Sequence, residues 1–195
     1  MSNVERESPI GPAVRARRRF VNRQLTIANP ASRSVAVLGV GNRLRGDDAV
    51  GCLVCDEIQK TGPSSLVPRP SSVPGLFVLD CANTPENYLQ PIADRRPSRI
   101  LIVDCCSYGA RPGDFRLFTR PEIEQLSYGL MSTHTLPLTL TIEMLSLETN
   151  AIVELLGIQP ERIDFGEDLS EPVRRALPAV VECVWNWARE SQPRA

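Results

Sequence analysis

Ser34-Val-Ala-Val-Leu-Gly-Val-Gly-Asn-Arg-Leu-Arg-Gly-Asp-Asp48 is the stretch on which the fold turns. Its first half is a short apolar run, rich in β-branched residues and without polar alternation, the pattern of a strand covered on both faces. Gly41-Asn42 ends that run. Beyond Gly46 stand two acids, and then Val50, Leu53, Val54 and Ile58 recur at helical spacing within Ala49–Lys60. A helix is therefore expected there, with Asp47 and Asp48 at its positive end. A buried strand leading at once into a helix begins a parallel α/β unit.

Gly39-x-Gly41 after a strand also begins the dinucleotide-binding fingerprint. Two features argue against that outcome. Leu44 occupies the position where the fingerprint needs a small residue for helix packing. Asp47 and Asp48 put like charge where a pyrophosphate would sit. The loop suits a cation or a scissile amide better than a phosphate.

Outward from this stretch the same unit recurs. Leu76-Phe-Val-Leu-Asp80 is expected to form a second strand, Pro85–Ala93 a short helix, and Arg99-Ile-Leu-Ile-Val-Asp104 the most deeply buried strand. Asp114-Phe-Arg-Leu-Phe-Thr119 alternates, as an edge or antiparallel strand does. Leu136–Leu147 is predicted as a helix and Ala151–Ile158 as a strand. Ser170–Arg189 is predicted as the last helix, with Ser170 as its N-cap, an apolar stripe through Val173, Leu177, Val180, Val181, Val184 and Trp187, and a kink at Pro178. The fold class that follows is α/β, a three-layer α/β/α sandwich with a mostly parallel sheet of about five strands.

The chain has 195 residues, of which 42% are hydrophobic, enough for one domain with a substantial core. Residues 1–32 are expected to be a disordered tail, and 33–192 a single domain with a Pro/Ser-rich insertion at 62–75. Net charge is −1, which leaves no broad basic field for nucleic acid or an anionic membrane. Arg15, Arg17, Arg18 and Arg19 concentrate positive charge, but within the polar tail, where a solvated segment is expected. The chain lacks the apolar stretch of a secretory signal and any run near the roughly 20 apolar residues of a membrane span, so a cytoplasmic monomer is expected. The six cysteines should then be reduced thiols. Cys52-Leu-Val-Cys55 has the spacing of a zinc or redox pair, yet it lies in an apolar helical pattern with no second pair beside it, and a buried structural role is expected.

In open α/β sheets ligands bind beyond the carboxyl ends of the strands. Asp80 and Asp104 each end a predicted strand there, and two acids on one rim point to a site more than either alone, which could simply bond loop amides. His134, the single histidine, lies in the polar run Ser132-Thr-His-Thr-Leu-Pro137 ahead of a helix. Facing Asp48 and Asp104, it would complete two hard oxygens and one imidazole nitrogen, a set able to hold a first-row metal or to do acid–base work on an amide. A serine or cysteine nucleophile, Cys105 and Cys106 included, would need that same histidine as its base.

Val37-Leu-Gly-Val-Gly-Asn-Arg-Leu-Arg-Gly-Asp-Asp-Ala-Val-Gly51, Ile102-Val-Asp104 and Thr133-His134 with Pro137-Leu138 together resemble the nickel–iron hydrogenase maturation endopeptidases. Pro85-Glu-Asn87 and Gly157-Ile-Gln-Pro160 look closer to the branch that processes formate-hydrogenlyase-type large subunits. The resemblance runs from about Ser34 into the final helix. It implies an α/β/α fold and a metal-contacting triad of Asp48, Asp104 and His134, with Asp48 and Asp80 as the catalytic acids of an aspartic-type protease. It also implies a substrate, the precursor of a hydrogenase large subunit. That precursor carries nickel, which the enzyme contacts without holding a tight ion of its own, and it loses a C-terminal peptide. The first 33 residues, the 62–75 segment and Cys81-Ala-Asn-Thr84, where the family tends to be glycine-rich, depart from the family pattern. A hydrolase with its own metal and a non-enzymatic nickel-binding assembly chaperone remain as alternatives for the same rim.

Overall fold

Five strands form one sheet in the order β2-β1-β3-β5-β4. They are β1 (Val35–Gly39), β2 (Leu76–Asp80), β3 (Arg99–Cys105), β4 (Phe115–Phe118) and β5 (Ile152–Ile158). The computed structural model describes residues 34–60, 73–126 and 137–191. The expected tail, most of the 62–75 insertion and His134 lie outside the described residues.

β1 pairs in parallel with β2 and with β3, and β3 with β5, while β4 runs antiparallel on the edge beside β5. The expected class is thus the observed one. Every residue of β1, and Ile100 to Cys105 of β3, is buried, which is what their unbroken apolar runs encode. Alternate side chains feed opposite layers. Val35, Val37, Leu101 and Val103 meet α1 (Val50–Gln59) and α5 (Glu171–Glu190) through Val54, Ile58, Val180, Val181 and Val184. Ala36, Leu38, Ile100 and Ile102 share the other layer with Ile92 of α2 (Leu89–Asp94), Ile123 of α3 (Arg120–Leu126), and Ile142 and Leu145 of α4 (Leu138–Thr149). Each such side chain contributes about 1.5–3 kcal/mol when fully buried, so these two layers are the main source of stability.

Several local expectations change. The helix expected over Ala49–Lys60 is preceded by a 3-10 turn, Gly46–Ala49, that contains both acids. The short helix expected over Pro85–Ala93 is a 3-10 turn, Pro85–Tyr88, running into α2. α5 continues unbroken through Pro178 because its stripe is held along its whole length by the sheet. Ser170 does occupy the N-cap position, but its hydroxyl makes no bond to the helix. α3 was not anticipated. Its signal was present in Thr119-Arg-Pro-Glu122: the Glu122 carboxylate accepts from both the amide and the hydroxyl of Thr119, half of a capping box.

The chain order places the site. β1 connects outward to β2 on one side and the chain then crosses to β3 on the other. The gap between β1 and β3 at their carboxyl ends is therefore the topological switch point, where departing loops diverge and leave a crevice.

Candidate active site

Asp48 leaves β1 through the 3-10 turn and Asp104 lies one residue before the end of β3, so the two flank the switch point. Asp104 is within the strand, opposite Gly157 of β5, rather than in the loop beyond it. Both carboxylates are 1% exposed. Asp48 Oδ2 accepts the Asn42 amide at 3.1 Å. Cys105, next to Asp104, reports both acids: burial first, then the charges of Asp104 and Asp48, push its thiol far above the usual range. Cys106 is raised to about 12 by burial and by Asp104. A buried thiol held neutral is a poor nucleophile, so the geometry opposes a cysteine-protease mechanism here.

The glycines serve close chain contact. A Cβ on Gly51 would meet the Val40 and Val103 carbonyl oxygens at 2.2 and 2.3 Å, so its absence lets the first turn of α1 settle onto the ends of β1 and β3. Gly41, at φ 146°, passes so near the Asp48 carbonyl that a Cβ would lie 1.8 Å from its oxygen. These contacts replace the phosphate cradle that the Gly-x-Gly pattern first evokes.

Asp47 and Asp48, adjacent in sequence, diverge. Asp47 is fully buried and faces the segment that follows the carboxyl end of β5. Its Oδ2 accepts the Glu161 amide at 2.8 Å, the Arg162 amide at 3.0 Å and the Ser170 hydroxyl at 2.8 Å, and its Oδ1 accepts the Ser170 amide at 2.7 Å. Gly46 donates to the Gly166 carbonyl and Gly166 to that of Leu44, closing the seam. The loop bearing Asp48 is thereby sewn to the 161–170 segment, and this is why Ser170 does not cap α5.

Gln159 makes the matching knot for the loop after Asp104. Its Oε1 accepts the amides of Tyr108 and Ala110, at 2.9 and 3.2 Å, and its Nε2 donates to Ser107. The sequence marks Gln159 only as part of a family motif, and nothing in its local pattern announces this role.

Asp80, the last residue of β2 and paired with Gly39, stands across β1 from the other two acids. Its side chain is 33% exposed. Oδ2 accepts from Arg43 at 2.6 Å and Oδ1 from the Ala82 amide at 2.8 Å. Burial alone would raise its pKa, but the hydrogen bonds from Arg43, Ala82 and Cys52 together outweigh that and hold the carboxyl below the usual aspartate range. Its charge acts on Cys52, Cys55 and Cys81. Nothing in the local sequence pattern marks Arg43 for this contact. The Cys52–Cys55 pair is buried in α1 with both thiols free and raised by burial, Cys55 to about 12, as expected of structural cysteines.

The acids thus divide into a buried pair flanking the switch point, Asp48 and Asp104, and a more open neighbour, Asp80. Among the described residues no three acidic, histidine or cysteine side chains converge to hold an ion. His134 precedes α4, whose helix lies on the sheet face toward which Ile100 and Ile102 point, and strand alternation directs Asp104 to that same face.

The hydrogenase maturation protease family model, HycI, matches residues 67–187, a stretch that contains Asp80, Asp104 and His134. The hydrogenase 3 maturation protease of Escherichia coli strain K12 is 30% identical over 151 residues, covering 77% of this chain and 88% of that protein. A putative hydrogenase maturation protease of Methanocaldococcus jannaschii is 31% identical over 133 residues, 68% of this chain and 76% of that one. Among solved structures, the nickel–iron hydrogenase maturation protease HycI of Thermococcus kodakarensis KOD1 superposes with a TM-score of 0.66 at 27% identity, covering 83% of this chain and 95% of its own.

Proposed function

This chain belongs to the hydrogenase maturation protease family, and on that premise we propose that it removes the C-terminal peptide from a nickel-loaded precursor of a hydrogenase large subunit. Asp48, Asp104 and His134 contact the nickel that the precursor brings, and Asp48 and Asp80 act on the scissile peptide as the acids of an aspartic-type protease. The observation that supports this reading is that Asp48 and Asp104 flank the topological switch point between β1 and β3.

The nickel is part of the substrate. Two carboxylates and one imidazole are a weak set for a late first-row ion unless other donors complete the shell. A precursor that carries nickel supplies the ion together with its own ligands, so docking favours the loaded form and holds the peptide beside the acids. The enzyme's part is to present fixed carboxylates. Asp47 and Gln159 hold the loops around them, and burial excludes competing water. The proposed partner is a large subunit of the formate-hydrogenlyase type. The proposed setting is the cytoplasm, with the enzyme a monomer, a setting supported by six free thiols. Among the described residues no helix is long and apolar enough to cross a membrane.

Asp48→Asn, Asp104→Asn and His134→Ala are each expected to abolish cleavage of nickel-loaded precursor while leaving circular dichroism unchanged. Wild-type enzyme, stripped with a chelator that is then removed, is expected to cut loaded precursor and to leave apo precursor intact. Equal cleavage of both precursors, or cleavage of apo precursor once zinc is added back, would replace this mechanism with that of a hydrolase holding its own metal.

A further inference from the structure

Asp80 is oriented by a second tier of charge. The Arg43 guanidinium grips Asp56 of α1 as a fork, with Nη1 at 2.7 Å from Oδ2 and Nη2 at 2.9 Å from Oδ1. The same Nη2 then reaches Asp80 Oδ2 at 2.6 Å. Two bonds to Asp56 fix the plane of the guanidinium, and a fixed plane fixes the direction of the N–H that meets Asp80. The Ala82 amide occupies the other Asp80 oxygen from a left-handed residue at φ 47°. Both oxygens of Asp80 thus have donors, one fixed through α1 and the other in the turn directly after β2.

We infer that Arg43 and Asp56 are positioning residues that hold Asp80 as an ionised hydrogen-bond acceptor facing the scissile peptide or the water that attacks it. The inference rests on the role given to Asp80 above. It also adds to that role, since an acceptor fixed in this way cannot serve as the proton donor of the reaction. In the acid range the charge acting on Asp80 is that of Arg43, offset by Asp56 behind it. The neighbouring thiols are Cys52 and Cys55 of α1 and Cys81 beyond β2, and all three are pushed upward by burial and stay neutral. β1 presents Gly39 opposite Asp80.

The test uses the full-length chain and nickel-loaded precursor, with Arg43→Gln, Arg43→Lys, Asp56→Asn and Asp80→Asn variants. Cleavage is followed as kcat and KM against pH, and the Asp80 carboxyl is titrated by carbon NMR, its resonance assigned from Asp80→Asn. Arg43→Gln is expected to lower kcat roughly 10- to 100-fold, the scale of a small misplacement of a catalytic group, with little change in KM. The Asp80 resonance and the acid limb of the profile should move together to higher pH. Arg43→Lys restores charge without the fork, so it should return the titration toward wild type and recover only part of kcat. Asp56→Asn should lower kcat without raising the acid limb. Wild-type kcat, or an unmoved Asp80 resonance, in Arg43→Gln would overturn the inference alone. Full cleavage by Asp80→Asn beside inactive Asp48→Asn would remove Asp80 from the reaction, and with it both its proposed role and this one.

Discussion

Asp47, in the turn between β1 and α1, and Asp80, at the end of neighbouring β2, both organise the carboxyl rim of the sheet, and they do so with different chemistry. Asp47 is fully buried and bonds three backbone amides and one hydroxyl, all from residues 161–170. Asp80 is one-third exposed and relies on Arg43, itself 43% exposed, whose charge is shared with Asp56. Buried charge-assisted bonds to backbone are strong, and losing them leaves stranded donors. Part-exposed ion pairs contribute little to stability and are screened by salt. The rim therefore has a rigid side, at Asp48, and a side tuned by solvent and pH, at Asp80. Buried bonds to backbone and part-exposed ion pairs are separable devices, and this molecule places them at different acids.

The strongest way to break the contrast is Asp47→Ala. It strands the buried amide of Ser170 and removes the acceptor of the part-buried amides of Glu161 and Arg162, and a loss of about 3–5 kcal/mol is expected, a large share of a domain's usual stability. Urea denaturation would measure it. Asp47→Asn keeps one acceptor oxygen and should lose less, so the pair separates the hydrogen bonds from the charge. A loss under about 1 kcal/mol in Asp47→Ala would show that the seam is dispensable.

Gln159→Ala should have an intermediate effect, about 1–2 kcal/mol, because two loop amides lose their acceptor while the strand beneath keeps its ladder. Faster hydrogen exchange at Tyr108 and Ala110, with β3 amides unchanged, is the local signature. Unchanged exchange at those two amides would mean that the loop after Asp104 is held by other contacts.

The smallest effect belongs to the Arg43–Asp80 side. Asp80 has a folded pKa below its unfolded one. Its contribution to stability is therefore fully present above the ordinary aspartate value of about 3.9 and is lost as pH falls through the lower, folded value. Arg43→Gln should weaken that acid-side dependence and reduce the sensitivity of stability to salt, while leaving stability near pH 7 almost unchanged. A large loss at pH 7 would place Arg43 among the structural residues beside Asp47 and collapse the distinction between the two sides.

The sequence alone determined the layers. β1 and β3 are legible because strands buried on both faces must be apolar throughout, and α5 because its stripe repeats at helical spacing. Those signals are local and each survives being read without the rest of the chain. α3 was legible too, through Thr119 and Glu122, but a helix of 7 residues spans only about two turns, with Ile123 the one buried anchor among the side chains described, and so little periodicity. Asp80 and Asp104 could be read at the carboxyl ends of strands, and Asp48 in the turn after one, because the apolar runs before them mark those strands.

Tertiary structure alone decided which partners each acid meets. Asp47 and Asp48 have the same side chain in the same turn, and they part because the donors for Asp47 lie 114 to 123 positions along the chain. Arg43 finds Asp80 across 37 positions, and Gln159 finds the Tyr108 loop across 51. Hydrogen bonds act over about 3 Å in space and carry no trace of sequence distance. A pattern of residues can therefore announce a strand or a helix, whereas the partner of a buried carboxylate appears only once the loops have been brought together.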